Sequence, residues 1–426
     1  MEKSKSNERK ASSTTKLIAV LVIGILVGAA IGYYSASFSA APSTAKTVTY
    51  TIGLASDLSS TGASFGEETL TSAQLAISDI NSYLARSGSG VTFALSVQDS
   101  LSTTDGAVSA IKTLASAGYT IVLCHCWSGQ LSAVESFAQS NKMLILDVSS
   151  TSNLLAVPKQ DIYRLIAPDS FQGKALTTLI WDKGVRKVVV IYRNDAYGQG
   201  ISGVFKTDFT GLGGNVVLEA YQGSLADYAS EVTTLSSNVQ SLGVGPQTGV
   251  LFIGFASEAV NIFTHASTDN TLTHVTWFSS EGPKGPDIIP PKVPASIGAF
   301  ETQTNLTGTF PQSIVNNTIA INFLNEFQAK TGHTIFAYGE QAYDGIWLLA
   351  NTILAVGSYN ATAVNNLLPT LAQHMMGASG PMQMDSNGDR ASQDYAVWTI
   401  VNTQGTYAFE NIGGWAAATG SVTFSS

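Results

Sequence analysis

The sequence predicts an α/β protein of two doubly wound, parallel-sheet lobes preceded by an N-terminal transmembrane helix. Three observations predict it. The chain has 426 residues, too many for one compact core and suited to two lobes once a leader is set aside. From Thr47 onward, short apolar runs alternate with segments of helical period. Before that lies an uncharged apolar run, Leu17 to Phe38, long enough to cross a bilayer as a helix.

Taking the N-terminus first, Lys3, Lys5, Arg9, Lys10 and Lys16 precede the apolar run, which places that end in the cytoplasm and everything after Ser39 outside. A retained anchor is the preferred reading. A cleaved signal peptide, with small residues at Ala36 to Ala41, is the alternative. No cysteine lies near the end of the run, which excludes a bacterial-type lipid anchor. Residues 1–46 are therefore read as cytoplasmic tip, membrane segment and tether. The sequons at Asn305, Asn316 and Asn360 suit an exported surface.

Composition narrows the function classes. Hydrophobic residues make up 44% of the chain and charged residues only 12%, so Ser, Thr, Asn, Gln and Gly must supply the polar surface. A net charge of −9 with few cations excludes nucleic acid as a partner, because phosphate neutralisation needs clustered Lys and Arg. Two cysteines do not make a disulfide framework.

The elements follow in order. Strands are predicted at Val48–Leu54, Val91–Gln98, Ile121–Cys126 and Met143–Val148, with helices over Glu67–Leu84, Thr104–Ala117 and Gln130–Ser140 between them. The rhythm restarts with a helix at Lys174–Lys183 and the apolar strand Lys187–Tyr192. It runs on to a strand at Val275–Phe278 and an irregular Pro-rich stretch at Gly282–Pro294. Two long amphipathic helices, Ile319–Thr331 and Gln341–Val356, precede two closing strands at Tyr395–Val401 and Tyr407–Ile412. In such sheets ligands sit beyond the carboxyl ends of the strands. Function is therefore sought in the loops Asp57–Glu67, Cys124–Gln130, Val148–Asn153, Asn194–Gly198 and Ser279–Gly282.

Those loops are rich in hydroxyls. Ser59 to Ser64, Trp127 to Gln130 and Ser149 to Asn153 offer Ser and Thr side chains with free N–H groups at helix starts, a setting for a carboxylate as well as for plain helix capping. Asp169, after Ala-Pro, and Glu281, in SSEG, stand out in a chain so poor in charge. A carboxylate in a cleft, opposite a hydroxyl- and amide-lined anion pocket, suits an ammonium group. Tyr197 could add a phenol or a cation–π face.

The order and spacing of eight motifs resemble the type I periplasmic binding proteins, in the branched-chain amino-acid-binding branch that serves ABC transporters. They are DLSSTGASFGEE (Asp57 to Glu68), VLCHCWSG (Val122 to Gly129), LILDVSSTSNL (Leu144 to Leu154), YRLIAPDSFQGKAL (Tyr163 to Leu176), VVVIYRNDAYGQG (Val188 to Gly200), FSSEG (Phe278 to Gly282), AYDGIWLLANTI (Ala342 to Ile353) and SGPMQMDSNGDR (Ser379 to Arg390). The resemblance implies that Ser128 and the loop Ser149, Ser150 and Thr151 hold a ligand α-carboxylate, while Asp169, Tyr197 and Glu281 hold its α-amino group. It implies lobe I over 47–166 plus 299–379, lobe II over 167–298 plus 380–426, and a three-segment hinge. It further implies permease and ATPase partners. Trp127 departs from the small residues common there, so it is read as a ligand contact that stacks on the ligand or shrinks its pocket.

Other constellations carry less. Cys124 and Cys126 share a face if the strand continues through them, and His125 then points the other way, so the three do not converge on a metal. The pair is read as structural or free thiols, with an oxidised pair as the alternative. Asp385 to Asp389 lacks the Gly and Glu of a calcium loop and reads as a turn. No nucleophile–base motif occurs, so the chain is not read as an enzyme, and no cofactor is expected. The leading expectation is an extracytoplasmic, membrane-held receptor delivering an amino-acid-like ligand to an ABC importer. A sensory ectodomain, or a receptor for short amides or urea, is the alternative.

Overall fold

A five-stranded parallel sheet organises the first half of the chain. The computed structural model describes residues 47–158, 161–312 and 317–425. The predicted membrane run and tether, and Asn316 of the second sequon, lie outside the described residues. Among the described residues no helix is long and apolar enough to cross a membrane.

The first sheet is built from β1 (Val48–Ser56), α1 (Ala63–Ser87), β2 (Val91–Asp99), α2 (Thr104–Ser116), β3 (Ile121–Cys124), α3 (Ser128–Ser140), β4 (Leu144–Asp147) and β5 (Ile162–Arg164). Its strand order is β2-β1-β3-β4-β5, parallel throughout. Parallel strands covered on both faces must be apolar on both. Ile52 and Leu54 of β1 and Leu123 of β3 accordingly meet Ala73, Ile80 and Leu84 of α1, while Ala55 and Val122 face Ala107, Ile111, Leu131 and Val134 of α2 and α3.

A second sheet follows from α4 (Asp169–Asp182), β6 (Lys187–Arg193), α5 (Ala196–Gly211), β7 (Asn215–Tyr221), α6 (Ala229–Leu242), β8 (Thr248–Ile253), α7 (Ala256–Ala266), β9 (Thr276–Ser279), α8 (Ala295–Gln303) and β10 (Thr307–Pro311). Then α9 (Thr318–Thr331), α10 (Gly339–Val356) and α11 (Ala361–Ala372) return to the first lobe, where Phe323, Phe327, Ile346, Leu349 and Leu368 complete its core. After the two-residue strands β11 (Met376–Gly377) and β12 (Gly380–Pro381), the antiparallel strands β13 (Tyr395–Thr403), β14 (Thr406–Ala416) and β15 (Ser421–Phe424) extend the second sheet. Its order is β15-β14-β13-β10-β9-β8-β6-β7.

The chain therefore passes between the lobes at Leu165–Pro168, between Pro311 and Asn317, and at Ala391–Asp394. Two of the expected boundaries move. Thr307–Pro311 pairs with both β9 and β13, so the stretch 299–311 belongs to the second sheet rather than to lobe I. Conversely, Met382 and Met384 pack in the first core, and Asp389 is ion-paired to Arg164 at 2.6 Å, so 380–390 stays with the first lobe. That ion pair also explains the Asp385–Asp389 turn, whose backbone is held by Asp385 and whose last carboxylate is committed to Arg164.

The cysteines are a further correction to the free-thiol reading. Cys124 and Cys126 form a disulfide, with their Cα atoms 5.3 Å apart. Strand β3 ends at Cys124, and the chain bends through 125–126 to enter α3, which brings the two sulfurs together. His125 still points to the opposite face. The nearby Asp147 carboxylate accepts N–H bonds from Cys126, Ser149 and Ser150.

Candidate functional site

Every predicted site residue lies at the carboxyl end of a strand, and the two lobes bring these ends face to face. From the first lobe come Trp127 and Ser128, at the start of α3, and Ser149, Ser150 and Thr151, after β4. From the second come Asp169 at the first turn of α4, Tyr197 at the first turn of α5, and Glu281 after β9. All but Trp127 are buried.

The first-lobe side is a preformed hydrogen-bond scaffold. Asp147 takes the N–H groups of Ser149 and Ser150 at 3.1 and 2.6 Å, which turns the chain sharply after β4. The Ser128 hydroxyl accepts from Ser150 Oγ at 3.1 Å and from the Ser152 N–H at 3.2 Å. Arg164, itself held by Asp389, donates to the carbonyls of Ser150 and Ser152. Ser149 Oγ is buried without a partner. Burial pushes the Asp147 carboxyl up to about 7.

The second-lobe side is different in kind. The Tyr197 hydroxyl bonds Glu281 Oε2 at 3.0 Å as donor and pairs with the Ser280 hydroxyl at 2.7 Å. Thr151 reaches across from the first lobe to Glu281 Oε1 at 3.4 Å. Asp169 is fully buried, and neither of its oxygens receives a hydrogen bond of ordinary geometry. Burial first, and then the neighbouring Glu281 charge, push the Asp169 carboxyl well above its usual range. Burial also raises Glu281. The two acids make a buried, electronegative corner, in which the Arg164 charge only partly offsets the burial of Asp169.

Trp127 stands between this interior and the cleft mouth. Its indole N–H is fixed by Asp57 Oδ2 at 2.6 Å, and its ring packs on Phe65, His125 and Phe255 at centroid distances of 5.4, 4.7 and 4.8 Å. Phe255 belongs to the second lobe and stacks in turn on Tyr197 at 5.4 Å. A cavity of about 250 Å³ opens at the mouth beside Trp127, Gln130, Arg193, Asp195, Ser257 and Phe255. Ser128, Ser150, Asp169 and Glu281 are not in its wall.

Sequence reasoning left several of these neighbours without a role. Asp57 was legible only as a loop residue, yet its carboxylate gathers Ser100, Ser102, Trp127 and Gln130. Phe65, Phe255 and Tyr338 complete the aromatic wall. Nothing in their spacing marks them, because they come from three distant parts of the chain.

Two hinged α/β lobes closing on a buried polar interior define a ligand-binding protein of the two-lobed class. The chain belongs to the family described as receptor family ligand binding region, whose model matches residues 68–403. Its fold is that of the type I periplasmic binding proteins. A leucine-binding protein, LivK of Thermotoga maritima, superimposes with a TM-score of 0.71 at 19% identity, over 87% of this chain and 99% of that one. The branched-chain amino acid transporter substrate-binding protein LivJ of Streptococcus pneumoniae, solved with isoleucine, gives 0.67 at 20% identity, over 85% and 99%. An uncharacterized protein of Methanocaldococcus jannaschii is 24% identical over 389 residues, which is 87% of this chain and 90% of that protein.

Proposed function

We propose that this protein is the extracytoplasmic solute-binding receptor of an ABC importer and captures an α-amino acid in the interlobe cleft. One observation carries the reading. Asp169 is a fully buried carboxyl, neither of whose oxygens receives a hydrogen bond of ordinary geometry, set beside a second buried acid, Glu281. A buried carboxylate is costly unless a cation neutralises it. An ammonium group placed between Asp169, Glu281 and the Tyr197 ring removes that cost. The ligand carboxylate then meets Ser128 and the Ser149–Thr151 loop, where the orphan Ser149 hydroxyl supplies a donor. The ligand touches both lobes and so stabilises their closed arrangement. Trp127 lies against its side chain.

The likeness to substrate-binding proteins supports permease and ATPase partners. The basic-flanked run Leu17–Phe38 supports a single membrane anchor with the lobes outside. Calorimetry tests the site. Leucine, isoleucine, valine and polar amino acids are compared with their des-amino acids, which should bind far more weakly. Equal binding of an amino acid and its des-amino analogue sinks the assignment. Protease added to intact cells should digest the lobes, and alkaline extraction should leave the anchored chain in the membrane. Release by alkali overturns the anchor alone.

A further inference from the structure

The amino-acid reading leaves unused one buried polar group that packs against Trp127, the residue read as lying against the ligand's side chain. His125 is fully buried, and neither ring nitrogen has a hydrogen-bond partner. Its backbone is settled, since the N–H donates to the Ala55 carbonyl at 2.8 Å, so only the imidazole is open. Both cysteines beside it turn into the core under α2 and α3. His125 turns the other way, into the aromatic wall, with ring centroids 4.7 Å from Trp127 and 6.4 Å from Tyr338. That wall offers it little. The Trp127 N–H is committed to Asp57, and Asp57 already accepts from Ser100, Ser102, Trp127 and Gln130.

We infer that His125 reads the ligand's side chain, hydrogen-bonding a neutral polar group on it, a hydroxyl or a carboxamide. The inference rests on the amino-acid reading of the site and narrows it. Burial pulls the imidazole down to about 4, so the ring is neutral at physiological pH. A neutral imidazole presents one donor and one acceptor. Hydroxyls and carboxamides match both. A branched aliphatic side chain matches neither and leaves the two nitrogens dry and unpaired, which is the more costly outcome.

Isosteric pairs test this on the full-length chain by calorimetry, threonine against valine and asparagine against leucine. The wild type should bind threonine at least about tenfold more tightly than valine, the range expected when a buried polar group loses its partner. His125→Phe should bring the two within about threefold, chiefly by weakening threonine. His125→Asn should keep part of the preference. The wild-type ratio needs no variant, so a misfolded mutant does not blunt the test. Valine binding as tightly as threonine, or a ratio that survives His125→Phe in a folded variant, overturns the inference and leaves the amino-acid site standing. Failure of every α-amino acid to bind overturns both.

Discussion

The two walls of the cleft solve opposite problems. On the first-lobe wall, Asp147, Ser128 and Arg164 have fixed the serine loop through internal hydrogen bonds before any ligand arrives. On the second-lobe wall, Asp169 and Glu281 are buried together, and burial outweighs the partners that favour their ionised forms. The first wall therefore supplies shape and the second supplies driving force. On the proposed reading, a ligand would gain little from rearranging the serine loop but would relieve an electrostatic penalty when its cation reached the acids.

The largest effect that would break this comparison is expected at the acids. Asp169→Asn should weaken amino-acid binding by about 2–3 kcal/mol, the scale of a lost charged hydrogen bond. The same change should raise the melting temperature of the unliganded protein, because it removes a buried like-charge neighbour. A variant that loses affinity and stability together would show that Asp169 is structural. Ser128→Ala should cost less, about 1 kcal/mol of binding, with a small loss of unliganded stability because two hydrogen bonds go with it.

A smaller effect should appear in pH. Both acids hold their protons more strongly than usual in the empty site, and pairing with an ammonium requires the ionised forms. Binding at neutral pH should therefore release protons, and affinity should rise several-fold from about pH 5 to about pH 8. Calorimetry in buffers of differing ionisation enthalpy reads the released protons directly. Proton uptake would contradict the scheme. Glu301 provides the control. It is a buried carboxyl in the second lobe, pushed up to about 9 by burial, with both oxygens unpartnered. Its folded value lies above the unfolded one, so its contribution to stability is present below about pH 4.5 and is lost as pH rises toward about 9. Glu301→Gln should flatten that decline in urea titrations and leave ligand affinity unchanged.

Much of the architecture was legible because parallel sheets leave a strong local trace. The run Lys187–Tyr192 is apolar enough to demand a central strand, and β6 lies between β7 and β8. Asp169 and Glu281 stood out because only 12% of the chain is charged, so each acid at a strand end has few rivals. What stayed hidden depended on long-range pairing. β10 (Thr307–Pro311) is a short strand ending in proline, and only its partners β9 and β13 assign it to the second lobe. The disulfide was obscured because the reading carried the strand through Cys126, whereas the chain leaves it at Cys124. His125 was weighed only as a metal ligand, since nothing local says that Trp127 and Tyr338 enclose it.

The Trp127–Phe255 contact has a consequence for timing. It bridges the lobes while Asp57 holds the indole, so in the proposed site a bound solute would leave when that contact parts. Escape would then wait for the second lobe to swing. Residence times of chemically different solutes should then follow how strongly each holds the lobes together. Trp127→Ala would uncouple exit from lobe opening.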